Sequence, residues 1–156
     1  MQVPMSELER LEFLLGSWTG RTVDQFGEKG TLTSTLECTH EPSEHFLQLV
    51  GETRKGGKFL NRAVEFITYD SAVRTYVCKR IWSMGFIENG VGGWKDPDTL
   101  QFQIKFDSEP GFFKGTLWRS FIRRYSTNEI GTGLYTAKKG QRYRLYGETK
   151  FTRSKA

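Results

Sequence analysis

From about residue 18 to residue 153, apolar and polar side chains alternate with a period of two, interrupted every 8–12 residues by turn-forming clusters. The alternation is clearest at 31–40, where Leu32, Ser34, Leu36 and Cys38 oppose Thr31, Thr33, Thr35 and Glu37. It recurs at 18–24, 45–54, 59–69, 75–82, 86–94, 100–106, 116–125, 129–137 and 142–153, with turns such as FGEKG, KGGK, KDPD, EPG and KKGQ between the runs. Only the start of the chain reads differently. Ser6 with Glu9 forms a capping box, Leu8, Leu11 and Leu15 share one helical face, and Gly16 stands where a helix ends.

This pattern predicts an all-β protein: one domain over 1–156, with a helix at about 6–15 and about 8–10 antiparallel strands from 18 to 153. A meander of that many strands exposes two edges unless it closes on itself, so an up-and-down barrel is expected, with the helix capping one end. No βαβ alternation, linker or repeat interrupts it. Aromatic residues at 14% and 17 glycines suit short strands, tight turns and an interior that rings can line.

Charge and cysteines narrow the setting. Net charge is +5, and Lys and Arg crowd 138–155, but they alternate with Tyr143, Leu145, Thr149 and Phe151 as on a solvated strand face. No nucleic-acid-binding module accompanies them, so no nucleic-acid partner is expected. Cys38 and Cys78 have no framework spacing, no run is long enough to span a membrane as a helix, and the first residues lack the pattern of a secretory signal. A cytoplasmic protein with reduced thiols is the expectation.

Gly16-Ser17-Trp18 at the helix-to-strand junction resembles the G-x-W signature of the calycin superfamily, which includes lipocalins and fatty-acid-binding proteins. The resemblance implies that Trp18 plugs the closed end and that Arg153, in the terminal KFTR, packs across its ring as a structural latch. The phrases LEFLLGSWTGRT, IWSMGFIENGVGGW and YRLYGETKFTR resemble, in addition, a bacterial calycin-like family of uncharacterised function. Departures are equally specific. The FGEKG turn leaves no room for the helical lid of fatty-acid-binding proteins. Arg144-Leu145-Tyr146 matches their Arg-x-Tyr carboxylate clamp in letters, but its parity points it outward if Arg153 points inward, unless a bulge at Gly147 shifts the register. Nitrobindin-like haem barrels ligate iron through a late histidine, and no histidine follows His45, so no cofactor is expected.

The chemistry-bearing residues carry no recognised catalytic motif. His40-Glu41 and His45 have H-E-x-x-x-H spacing rather than that of a zincin, and Pro42 interrupts a helix there. With Cys38 they would still need a fourth metal ligand, so no metal is expected. GxSxG and phosphate-binding glycine loops are absent. Two strand faces remain: Tyr76, Cys78, Arg80 and Trp82, and Leu117, Arg119, Phe121, Arg123 and Tyr125. Lining a cavity, Tyr76, Arg80, Trp82, Arg119, Phe121, Arg123 and Tyr125 would bind a small hydrophobic or amphipathic molecule with an acidic head group, and a buried Arg would need a carboxylate such as Glu52 or Glu65. The opposite orientation, with Val77 and Ile81 or Trp118 and Ile122 inward, fits the alternation equally well. A carrier, a cavity enzyme using Glu65, Tyr76 or Tyr125, and a filled barrel acting through its surface all stay open. Ligand identity and oligomeric state are not specified by these residues.

Overall fold

A computed structural model of the chain describes residues 7–41, 45–108, 111 and 114–154. Ten strands form a closed antiparallel barrel: β1 (Gly16–Val23), β2 (Thr31–His40), β3 (Leu47–Lys55), β4 (Lys58–Asp70), β5 (Thr75–Trp82), β6 (Ile87–Asp96), β7 (Thr99–Phe106), β8 (Thr116–Ser126), β9 (Glu129–Lys138) and β10 (Arg144–Arg153). Each pairs with its sequence neighbour, and β1 pairs with β10, so no edge is left exposed. The expected all-β barrel is the fold observed.

Its helix is shorter and tighter than expected. A 3-10 helix spans Glu9–Leu14, begins at Leu8 without a side-chain cap, and is closed by i to i+3 bonds such as Leu11 N–H to Leu8 O. Ser6, half of the expected capping box, lies outside the described residues. Three residues per turn stack Leu8, Leu11 and Leu14 on one side, in place of the α-helical set ending at Leu15. Leu11 and Leu14 are fully buried.

The helix lies across the end where β1 starts and β10 finishes. There Trp18 Nε1–H donates to Leu14 O at 2.8 Å, and the Arg153 guanidinium stands 4.2 Å from the centre of the Trp18 ring. Arg153 also donates to Leu15 O at 2.6 Å and to Phe13 O and Thr127 O at 3.1 Å each. One cation therefore holds the ring, the carbonyls left free by the helix, and the β8–β9 turn. Gly16 is required beside it: its φ is +119°, and a Cβ would approach Arg153 Nη1 to 2.8 Å.

Register fixes which side chains face inward. Cys38, Leu49, Glu65, Arg80, Glu88 and Phe106 are successive partners across β2 to β7 and so share the inner face. Leu100, Phe102 and Ile104 pair with Ile122, Ser120 and Trp118, which carries the inner face onto β8. The closed half is packed with Leu11, Leu14, Trp18, Leu47, Ile67 and Leu100, all at most 1% exposed.

Trp18→Ala is expected to lower the unfolding free energy by about 3–5 kcal/mol, the usual cost of emptying a buried tryptophan site. Trp18→Phe should cost less, since it keeps a ring beneath Arg153. Urea denaturation of both variants tests this; a loss below about 1 kcal/mol for the alanine variant would remove the latch from its structural role.

Candidate functional site

The inner face changes character along the barrel axis. Beyond the packed closed end, β2 to β4 present small residues: Ser34, Gly51, Thr53 and Ala63 lie on the same face as Trp18 and Trp82 by register. Ser34 and Thr53 hydroxyls meet at 3.1 Å. Thr22, Thr149, Thr132 and Ser120 continue the short-chain wall on the other side. The Thr22 and Ser120 hydroxyls are buried, 4% and 3% exposed, and make no hydrogen bond. A ten-strand barrel is wider than an eight-strand one.

Beside that wall, on β4 to β6, sits a charged cluster. Arg80 Nη2 lies 2.8 Å from Glu65 Oε2, and Arg80 Nη1 lies 3.4 Å from Glu88 Oε2. Trp82 Nε1–H donates to the other Glu88 oxygen at 2.8 Å. Both carboxylates are buried, so the cluster is one guanidinium between two acids in a low-dielectric interior. Burial pushes the Glu65 carboxyl above its ordinary range; Arg80 opposes the shift and Glu88 adds to it. Burial, reinforced by Glu65, raises Cys38 to about 12, and burial likewise raises Cys78, so both thiols stay protonated and unreactive.

Aromatic rings gather at the end away from the helix. Phe86 packs on Trp82 at 5.6 Å and on Phe106 at 5.8 Å. Tyr146 meets Trp118 at 5.0 Å and Phe26 at 6.1 Å, both edge to face. Tyr146 reaches Trp118 because β10 shifts register between Leu145 and Gly147. That bulge places Arg144 opposite Thr136, an inward position, so the outward parity expected for Arg144 and Tyr146 gives way to the bulge alternative. Arg144 itself is exposed at the open end.

The seven residues expected to line one cavity divide into three groups. Arg80 and Trp82 face the interior as described. Tyr76 also faces inward but belongs to the closed end: its hydroxyl lies 2.5 Å from Glu7 O and 2.6 Å from Glu7 Oε2, and it accepts from Trp94 Nε1–H at 3.0 Å. Burial and then Glu7 raise its pKa, so the phenol acts as a clamp on the segment before the helix. Arg119, Phe121, Arg123 and Tyr125 lie on the outer face, which corrects the expected lining. Strict period-two alternation cannot turn them inward once Ile122, Ser120 and Trp118 pair with the inner residues of β7. Arg119 stacks 3.9 Å over Tyr143 and donates to Gln103. Arg123 donates to Thr99 at 3.2 Å and lies 4.9 Å over Phe121. Tyr125 donates to Glu148, outside the barrel, so of the three acid–base candidates only Glu65 faces the interior beyond the closed end.

Phe121 is nonetheless buried, and that made its strand ambiguous. Its ring lies over Gly133 on β9, where a Cβ would come within 2.5 Å, and against Tyr135 at 5.0 Å. Glu52, the other acid considered for a buried Arg, pairs instead with Arg54 at 3.1 Å. His40 faces Glu12 at the closed end, 3.9 Å away; Pro42 lies outside the described residues. Among the described residues no three His, Cys, Asp or Glu side chains gather to hold a metal, and no helix is long and apolar enough to cross a membrane.

Glu88 was missed because its strand reads inside out. Ile87, Asn89 and Val91 alternate with Glu88, Gly90 and Gly92, and the apolar set is the outward one. The structure gives the reason for the glycine: a Cβ at Gly92 would run into the β7 backbone at Gln101, where the two strands approach closely.

Comparison with known proteins bears on the fold. The chain is similar to Rv2717c from M. tuberculosis, a crystal structure with 18% identity and a TM-score of 0.70, over 99% of this chain and 100% of that one. It also aligns with EF1p2_mFAP2b bound to DFHBI at 15% identity over 96% of this chain and 100% of that one, but the TM-score of 0.35 is too low to bear on fold or function. No family model matches the sequence, and no curated protein does. The first match shows a shared fold, which in this chain is a closed antiparallel barrel of ten strands.

Because burial raises Glu65, the native protein holds that proton more tightly than the unfolded chain. Stability should therefore fall as pH rises from about 4.3 through the native Glu65 value, a component that Glu65→Gln removes. Urea denaturation of both proteins from about pH 4 to about pH 8 tests this; superimposable pH profiles would contradict it.

Proposed function

We propose that the protein binds a small, largely apolar molecule inside the barrel, entering from the end opposite the 3-10 helix. The observation that carries this reading is the inner face beyond the latch, where short side chains such as Ser34, Thr53 and Ala63 stand beside Arg80, Trp82 and Glu88. Closure at one end by Trp18 and Arg153 leaves the aromatic end as the entrance. Such a chamber excludes water from the apolar body of a ligand while a few polar groups set its orientation.

A second reading has one specific observation behind it. Glu65 is buried with its carboxyl raised toward the protonated form, as a general acid in a cavity enzyme would be. Its proton would have to reach a substrate past Arg80, which already occupies one Glu65 oxygen. Binding without turnover is therefore preferred.

Titration with the neutral lipophilic dye N-phenyl-1-naphthylamine should give saturable fluorescence enhancement with wild-type protein. Ala63→Trp should abolish it by filling the chamber, at a stability cost of about 1–3 kcal/mol that circular dichroism can follow. Equal enhancement by both proteins would place the dye outside the barrel, and none with wild type would mean a filled interior.

A further inference from the structure

The charge inside the barrel does not suit an acidic ligand. Arg80 is already engaged by Glu65 and Glu88, and the remaining Glu88 oxygen is taken by Trp82. A ligand carboxylate could reach the guanidinium only by displacing one of them, leaving that carboxylate buried without a partner, a cost of several kcal/mol by the general behaviour of buried ion pairs. The charges instead sum to one excess negative charge: two carboxylates against one guanidinium. The other titratable groups coupled to Glu65 are the thiols of Cys38 and Cys78, which carry no positive charge. Arg144 and Lys138, two cations of inward parity at the open end, are exposed to solvent.

Resting on the binding function proposed above, we infer that the chamber takes a lipophilic cation, an ammonium or amidinium on an apolar body, with its charge beside Glu65 and Glu88. The excess carboxylate supplies the countercharge. The Trp82 ring, with the Arg80 guanidinium 5.5 Å from its centre and Phe86 packed on it at 5.6 Å, gives the cluster an apolar flank for the body of the ligand. In the empty protein burial favours a proton on Glu65, which offsets the surplus charge. A bound cation takes over that role and releases the proton, so binding strengthens as pH rises through the Glu65 value.

The test uses three probes of one chain length: decylammonium, 1-decanol and decanoate, each displacing N-phenyl-1-naphthylamine from the full-length protein below micellar concentrations. Decylammonium is expected to bind about tenfold or more tightly than either other probe, a preference that Glu65→Gln reduces to about threefold or less. The overall charge of +5 disfavours cations at the surface, so the preference has to arise locally. Glu65→Gln leaves Arg80 and Glu88 as a neutral pair and is expected to fold. Should it fail to, wild-type calorimetry in buffers of different ionisation heat gives the second readout: a net release of protons on binding decylammonium. Equal binding of the three probes, tighter binding of decanoate, or no proton release overturns the cation preference while leaving the chamber intact. Failure of all three, the alcohol included, to displace the dye overturns the binding function itself.

Discussion

The fold depends on how one end of the barrel is shut. A wide barrel cannot fill its mouth from its strands alone, and here a short helix is drawn over it and held by Arg153. That guanidinium lies 4.2 Å from the Trp18 ring centre and donates to carbonyls of Phe13, Leu15 and Thr127, so the first strand, the last strand, the helix and one turn meet at a single charge. The ring contact contributes about 0.5–2 kcal/mol in general terms, but its geometric role is larger. It sets Trp18 inward, and with it the parity of β1 and β10 where the barrel closes. From that parity, the register around the ten strands sets Glu65, Arg80 and Glu88 side by side on the inner face of β4 to β6.

That consequence separates two jobs which the sequence mixes together. Inner side chains near the latch are large and apolar and pack against the helix. Beyond it the inner face is mixed: Phe102, Ile104 and Trp118 are apolar and buried, while Ser34, Thr53 and Ala63 are short and Glu65, Arg80 and Glu88 are charged. Buried ion clusters seldom stabilise a protein over an apolar replacement. Retaining Glu65–Arg80–Glu88 among short neighbours makes more sense as an arrangement for a guest molecule than as a stabilising device.

The architecture was legible because strand periodicity and turn residues are local signals. The bounds of β2 and β5 coincide with their alternating runs, and Trp18 with Arg153 could be paired from the G-x-W phrase and the terminal arginine. What was not legible is direction. Alternation shows that residues share a face but not which face is inside, and β8 is the case in point: Phe121 is buried by the outer neighbours Gly133 and Tyr135, so its strand has apolar groups on both sides. β6 hides its orientation differently, with glycines inward and Ile87 and Val91 outward. The tight 3-10 turn and the β10 bulge depend on contacts distant in sequence. Glu88 had no local mark at all; its role arises only from standing opposite Arg80.

The central claim is that the latch closes one end and leaves unfilled space beyond it. Crystals pressurised with xenon test this most directly, because xenon enters apolar space without needing a specific ligand. The account expects a xenon peak inside the barrel between Ala63, Leu134 and Trp82, lost in an Ala63→Trp protein. Well-ordered wild-type crystals with no internal xenon, and protein side chains filling that space, would contradict it.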